Sequence, residues 1–279
     1  MLAIILLALF AVSSAEDRIH NGKEAEPDLN NVVYLMSSGC TGTVVSEHYI
    51  LTAAHCVPPS PEIVRIYTRD LYHHDPSKLP TPAFQSSILI SHPEYCKRHD
   101  IALIKVATPM TIPPVPLAAN YSHPKDDWLR VAGYGRTKYQ IFNASTGDVT
   151  SFENPKTLME TYLQARSTDD CFNESFKIAY PDWHLICMYK NDSTVLHGDS
   201  GGPAFAQGKD GRYYQVGVNV HGLTWGGPTF SFWKMPLQSP FTIASLSTDV
   251  SYYCPWIEQT TKGEVKCQPF KSTPIVPKF

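Results

Sequence analysis

The chain has 279 residues, a formal net charge of −3 at pH 7, and only 18% charged residues. This near-neutral, mildly acidic balance excludes nucleic acid as the main partner, and no apolar run is long enough for a helical membrane span. Twenty-three prolines and fifteen tyrosines among so few charges favour short β-strands separated by turns.

In chain order, the apolar run Leu2–Val12 is followed by small residues at Ser13 and Ala15, which predicts a signal peptide over residues 1–15 with cleavage after Ala15. Strand-like runs rich in Val, Ile and Tyr then recur between turn residues. They are VVYLM (32–36), GTVVSEHYILTAA (42–54), EIVRIYT (62–68), SSILI (86–90), IALIKV (101–106), WLRVAGYG (128–135) and YYQVGVNV (213–220). The pattern predicts an all-β sandwich or barrel rather than alternating α/β. Between the third and fourth runs, LYHHDP (71–76) lacks the paired carboxylates of a calcium loop and reads as an exposed polar loop, so no metal is expected. The polar, proline-marked connector 113–127 divides the chain into halves at 19–125 and 126–264. A helix is expected over Cys254–Gly263, with Pro255 in its first turn and Gly263 as its stop. The proline-rich tail, 265–279, is expected to be poorly ordered beyond Cys267.

Four acceptors for N-glycosylation, at Asn120, Asn143, Asn173 and Asn191, agree with export from the cell. The seven cysteines contain no Cys-x-x-Cys pair and read as disulfide partners rather than zinc ligands. The expected location is therefore extracellular, with no membrane or nucleic-acid partner.

Three short motifs carry the chemistry: TAAHC with His55, HDIAL with Asp100, and GDSGGP with Ser200. Amide hydrolysis needs a nucleophile, a base to deprotonate it and an acid group to orient that base, and these three side chains fill those roles. In this order, within a secreted β-rich chain, the sequence resembles the chymotrypsin-like serine proteases of the trypsin superfamily from Arg18 to about Glu258.

The resemblance implies two six-stranded antiparallel β-barrels with the site between them and a short C-terminal helix. It makes His55 the general base, Asp100 its orienting carboxylate and Ser200 the nucleophile, with the N–H groups of Gly198 and Ser200 as the oxyanion hole. It also implies a zymogen with a short activation peptide at 16–18, cut after Arg18. The freed amine of Ile19 then pairs with Asp199. Cys40–Cys56 and Cys171–Cys187 match family bridges. Two further family bridges are missing, with Leu129 and Ala206 in place of one pair and Leu196 in place of one member of the other. Of Cys96, Cys254 and Cys267, two are expected to pair, in a combination left open.

Substrate choice departs from the family pattern. A gapless count places Thr194 on the floor of the specificity pocket with Val195 beside it, which implies a neutral, chymotrypsin- or elastase-like preference. If the segment shifts, Asp192 reaches the floor and restores a preference for basic residues. The opposite wall aligns either as Val220, His221 and Gly222 or as Thr224, Trp225 and Gly226. The first keeps the strand in register and removes a hydrogen bond to Asp100. The expected function is that of a secreted serine endopeptidase acting through an acyl-enzyme, monomeric and needing no cofactor. Peptide or protein substrates, an activating protease and serine protease inhibitors are its partners. The alternative is a binding protein on the same fold with weak or no activity.

Overall fold

The structure is a computed structural model. It describes residues 19, 22–58, 63–68, 82–95, 98–122, 124, 127–136, 138–143, 148–153, 157–166, 168–179, 181–190, 193–224 and 242–278.

After a short strand β1 (Lys23–Glu24), six strands form a closed barrel: β2 (Val32–Leu35), β3 (Cys40–Val44), β4 (Tyr49–Thr52), β5 (Arg65–Tyr67), β6 (Phe84–Ser91) and β7 (Ala102–Val106). Their order is β2-β3-β4-β7-β6-β5, and β5 returns to β2 through Tyr34↔Tyr67 and Leu35↔Ile66. Every residue of β2, β3 and β4 is buried. The long run 42–54 becomes a hairpin because Ser46 Oγ accepts the His48 and Tyr49 N–H groups at 3.2 and 3.0 Å, which turns the chain between two apolar segments.

The connector contributes β8 (Leu117–Ala118) before the second half begins at β9 (Trp128–Gly133). A separate hairpin follows, β10 (Lys138–Asn143) with β11 (Asp148–Glu153), and then β12 (Met159–Arg166). Two short helices, α1 (Thr168–Cys171) and α2 (Glu174–Ala179), lead to β13 (Leu185–Tyr189), β14 (Pro203–Gly208), β15 (Tyr213–Thr224) and β16 (Thr242–Asp249). Strands β15, β16, β13, β12, β9 and β14 are successive neighbours, and pairing of β14 with β15 closes them into the second barrel. The fold is thus two six-stranded antiparallel barrels, as the resemblance implies.

Two expectations are corrected at the C-terminus. The helix α3 runs over Val250–Thr260, starting four residues earlier than expected, with Pro255 inside it. Asp249 caps it by accepting the Ser251 N–H at 2.9 Å. Pro255 removes one helical donor, and the helix persists because Val250, Tyr253, Cys254 and Ile257 are buried along one side. Gly263 does act as the stop: its φ is +80° and its N–H closes on the Glu258 carbonyl at 2.8 Å.

The tail, read as poorly ordered, is instead held on the second barrel. Its strand β17 (Cys267–Gln268) pairs with β8, and β18 (Ser272–Thr273) pairs with β14. Phe270 and Ile275 are buried, which repays the ordering that the proline-rich composition opposes.

Strand β1 docks on β12 through an ion cluster. The Arg130 guanidinium bonds Glu160 Oε2 through Nε at 2.8 Å and forks onto Asp28 at 2.7 and 2.9 Å. The first residues after Ile19 are thereby fixed to the second barrel.

Candidate active site

His55 lies in a single 3-10 turn, Ala54–Cys56, at the end of β4, and Asp100 lies just before β7. Those strands are neighbours with Thr52 opposite Ala102, so the segments flanking the pair bring the two side chains together. His55 Nδ1 is 2.7 Å from Asp100 Oδ2, and the His55 N–H donates to Asp100 Oδ1 at 2.9 Å. The second barrel adds a clamp, since Thr248 Oγ1 donates to the Asp100 carbonyl at 3.0 Å. Bridging of Cys40 to Cys56 ties the histidine turn to β3.

Ser200 lies on a loop held between the barrels. On one side the Thr41 N–H donates to the Ser200 carbonyl at 2.9 Å, and Thr41 Oγ1 donates to the Gly198 carbonyl at 2.8 Å. On the other, the Gly201 N–H donates to the Asn219 carbonyl at 2.7 Å and the Asn219 N–H donates to the Gly202 carbonyl at 2.8 Å. Gly201 has φ +80°, and a side chain there would strike Thr52 and the Thr41 carbonyl just ahead of the histidine turn. Gly198 has φ +104°, and a Cβ would lie 2.8 Å from the Gly135 Cα. Among the described residues, the Gly198 and Ser200 N–H groups donate to no protein acceptor, the condition an oxyanion hole requires.

Asp199, beside the serine, is fully buried. Its carboxylate accepts N–H groups from Gly135 and Leu196, each at 2.8 Å, and burial nonetheless raises its pKa to about 7. Ile19 is also fully buried, with φ +38°, a strained value for a β-branched residue.

At the position expected to form the pocket floor lies a hydroxyl pair. Thr194 Oγ1 lies 2.9 Å from Ser245 Oγ, which also accepts the Val195 N–H at 3.1 Å. Gly222 is opposite Ser245 in the β15–β16 ladder, so Thr194, Val195 and Gly222 do converge around one residue. Asp192 and Gly226 lie outside the described residues, as do Trp225 and Asn191. His221 follows a register shift in β15. Its imidazole pKa is lowered by desolvation and by His55, with Asp100 opposing, although part of the side chain remains open to solvent.

Comparison with known proteins agrees with this geometry. The family model for Trypsin matches residues 19–233. The chain belongs to the trypsin family. Relatives include the serine proteinase stubble of Drosophila melanogaster, 26% identical over 78% of this chain and 26% of that protein. Venom serine protease Bi-VSP of Bombus ignitus is 29% identical over 66% of this chain and 52% of its own length. Tryptase of Mus musculus is 28% identical, with 78% and 77% covered. This chain therefore spans about a quarter and about half of the first two.

The remaining trypsin-family features can be placed on this frame. Cys171–Cys187 is bridged, and the open pairing resolves as Cys254–Cys267, while Cys96 lies outside the described residues. Among the described residues, the one convergence of potential metal ligands is Cys40, His55 and Cys56, whose sulfurs are joined to each other and offer no thiolate. No helix among them is long and apolar enough to cross a membrane. Asn120 is exposed on the connector, with its Oδ1 accepting the Phe270 N–H at 3.4 Å. Asn173 is half-buried after α1, Asn143 ends β10, and the loop 71–76 is outside the described residues.

Sequence reasoning missed Ser245, Thr248 and Thr41. Nothing local marks the first two, because strand pairing brings them to the site. Thr41 stands next to Cys40, the one signal that could have found it.

Proposed function

We propose that this protein is a secreted serine endopeptidase, made as a zymogen. The observation that carries this reading is the 2.7 Å contact between His55 Nδ1 and Asp100 Oδ2 beside a serine loop with uncommitted amides. In this mechanism Asp100 holds the imidazole with Nδ1 protonated, leaving Nε2 to take the Ser200 proton as Oγ attacks the scissile carbonyl. The Gly198 and Ser200 N–H groups receive the negative oxygen, each such donor lowering the barrier by about 3–4 kcal/mol. His55 returns its proton to the leaving amine, and water then releases the acyl-enzyme by the same route. The protease names of the three relatives support this reading.

Activation is proposed to follow removal of residues 1–15 and cleavage of the Arg18–Ile19 bond. Two features support it. The φ angle of Ile19 is defined by the bond to Arg18, so cutting that bond abolishes the +38° torsion and its strain. The new ammonium would supply the cation that the buried Asp199 lacks among the described groups acting on it. The Thr194–Ser245 floor supports cleavage after neutral side chains, since it presents hydroxyls already bonded to one another. Glycans on Asn120, Asn143, Asn173 and Asn191, an activating protease and serine protease inhibitors belong to the same reading.

The test is covalent labelling of Ser200 by a fluorophosphonate before and after cleavage at Arg18, with Ser200→Ala as the control. Labelling only after cleavage is the expected result. Absence of labelling in folded protein with a free Ile19 amine overturns catalysis and favours the binding-protein alternative. A peptide-library profile reads the pocket, and cleavage after Lys or Arg would refute the neutral floor.

A further inference from the structure

A cavity of about 630 Å³ lies at the opposite end of β4 from the histidine turn. Its walls are the β3–β4 turn, the connector ahead of β8, Arg212 and the segment between α3 and β17, and its volume suits a ligand site. It opens where two parallel segments fail to join. Connector and tail pair at Leu117↔Cys267 and Ala118↔Gln268. Ahead of that first rung, Pro114 and Pro116 carry no N–H. The Val115 N–H goes instead to the Val44 carbonyl at 3.0 Å, and the Glu264 and Val265 N–H groups go to Thr261, each at 3.1 Å. With these donors committed elsewhere, no bond joins 114–116 to 264–265.

Val45, Val115, Leu117 and Val265, all buried, give the cavity an apolar lining. Its two ends differ in charge. At the first-barrel end Glu264 Oε1 accepts Ser46 Oγ at 2.8 Å and the His48 N–H at 3.2 Å, with Glu47 exposed beside them. At the second-barrel end Arg212 holds Asp210 through Nε at 2.7 Å and reaches Gln268 Oε1 through Nη2 at 3.5 Å. Asp210 thus offsets part of the Arg212 charge. Lys266 stands exposed between Glu264 and Gln268, and neither its side chain nor that of Glu47 has a partner among the described residues. Glu264 and Gln268 are four positions apart, at most about 13 Å of extended chain.

We propose that this cavity docks an extended segment of a partner protein that carries a basic and an acidic residue four positions apart, with an apolar residue midway. Alternate side chains of an extended peptide share one face, so all three point inwards together. The basic side chain meets Glu47 and Glu264, the apolar one fills the lining, and the acidic one meets Lys266 and Arg212. Each exposed ion pair contributes about a twofold to fivefold gain in affinity. The docking site is separate from the Ser200 loop and does not depend on the proteolytic reading.

The test measures, by anisotropy, binding of fluorescein-labelled pentapeptides to the full Ser200→Ala chain. The probes are Lys-Ser-Leu-Ser-Glu, its reverse Glu-Ser-Leu-Ser-Lys, and a control with Gln at both ends. The better charged peptide is expected to bind about fivefold to twentyfold more tightly than the control, and 1 M salt should narrow that ratio. Lys266→Gln should weaken it about twofold to fivefold. Lys266→Glu should weaken it further and should favour a peptide with Lys at both ends. A benzophenone at the central position should cross-link to residues 45–48, 114–117 or 264–268. Equal binding of charged and control peptides, indifference to both Lys266 variants, or cross-links elsewhere overturns the inference. So does a dimer of this chain that Lys266→Glu disperses, since a second copy then fills the groove. Fluorophosphonate on Ser200 of activated wild type should leave peptide binding unchanged, and its loss would move the peptide to the catalytic cleft and refute the docking site. If Ser200 takes no label, proteolysis falls, while the Ser200→Ala measurements still decide the docking.

Discussion

Raising the pH on the uncleaved chain should unload the proton that Asp199 holds. Its folded pKa, about 7, stands above the ordinary carboxylate value of 3.8 because burial outweighs the two N–H bonds from Leu196 and Gly135. A raised carboxyl pKa contributes stability that is fully present below about pH 4 and is lost as pH rises to about 7. With roughly 1.4 kcal/mol per pKa unit, the loss is on the order of 4 kcal/mol. The comparison is between Arg18→Gln, which stays uncleaved, and Arg18→Gln/Asp199→Asn, in which position 199 cannot titrate. Urea unfolding followed by tryptophan fluorescence from pH 4 to 8 gives the two profiles. Asn would place an NH2 against either Leu196 or Gly135, but that cost is an offset without pH dependence. Asp127, pushed up by burial, and His92, His184, His197 and His221, held down by it, titrate in both chains and cancel in the difference. The single variant should lose about 4 kcal/mol relative to the double variant across the window. Wild type cleaved at Arg18 should show little of that loss, because the Ile19 ammonium would stabilise the ionised form. Parallel profiles for the two uncleaved chains would refute the argument and with it the idea of an uncompensated carboxyl awaiting a cation.

Arg130→Ala leaves the fully buried Glu160 without the guanidinium that neutralises it, and should cost about 3–5 kcal/mol in urea unfolding; a loss below about 1 kcal/mol would mean the carboxyl relaxes to water. Phe270, buried against Tyr214 with ring centroids 4.9 Å apart, should cost about 3–5 kcal/mol when changed to Ala, whereas a loose tail would make that substitution nearly silent. Thr194→Asp places a carboxylate on the pocket floor and should raise cleavage after Arg relative to Phe by about tenfold or more in paired fluorogenic substrates. An unchanged ratio would show that another residue forms the floor.

The proposed triad was legible because its motifs are local. His55, Asp100 and Ser200 each lie in a motif of five or six residues, and neighbouring strand ends bring the first two together. Much of the second barrel was not legible. Strands β12 and β16 carry Glu160, Thr161, Ser245 and Ser247 at buried positions, which erases the alternation that marks a half-buried strand. These polar groups are tolerated because each meets another: Glu160 meets Arg130, Thr161 meets Ser193, Ser245 meets Thr194, and Ser247 donates to Asn219 at 2.8 Å. Burial there depends on partners about thirty to fifty residues away, a distance that no window of sequence samples. The helix start was misplaced for a related reason. Pro255 suggests a first turn, but the Asp249 cap and the buried side of α3 outweigh one missing donor. The proposed specificity pocket is the extreme case, since Thr194 at its expected floor bonds a residue 51 positions away. The count back from Ser200 finds Thr194, and it cannot find Ser245, which bonds the same hydroxyl. The proposed catalytic residues are therefore written in contiguous motifs, while the surroundings of the proposed pocket depend on strand pairing in the second barrel.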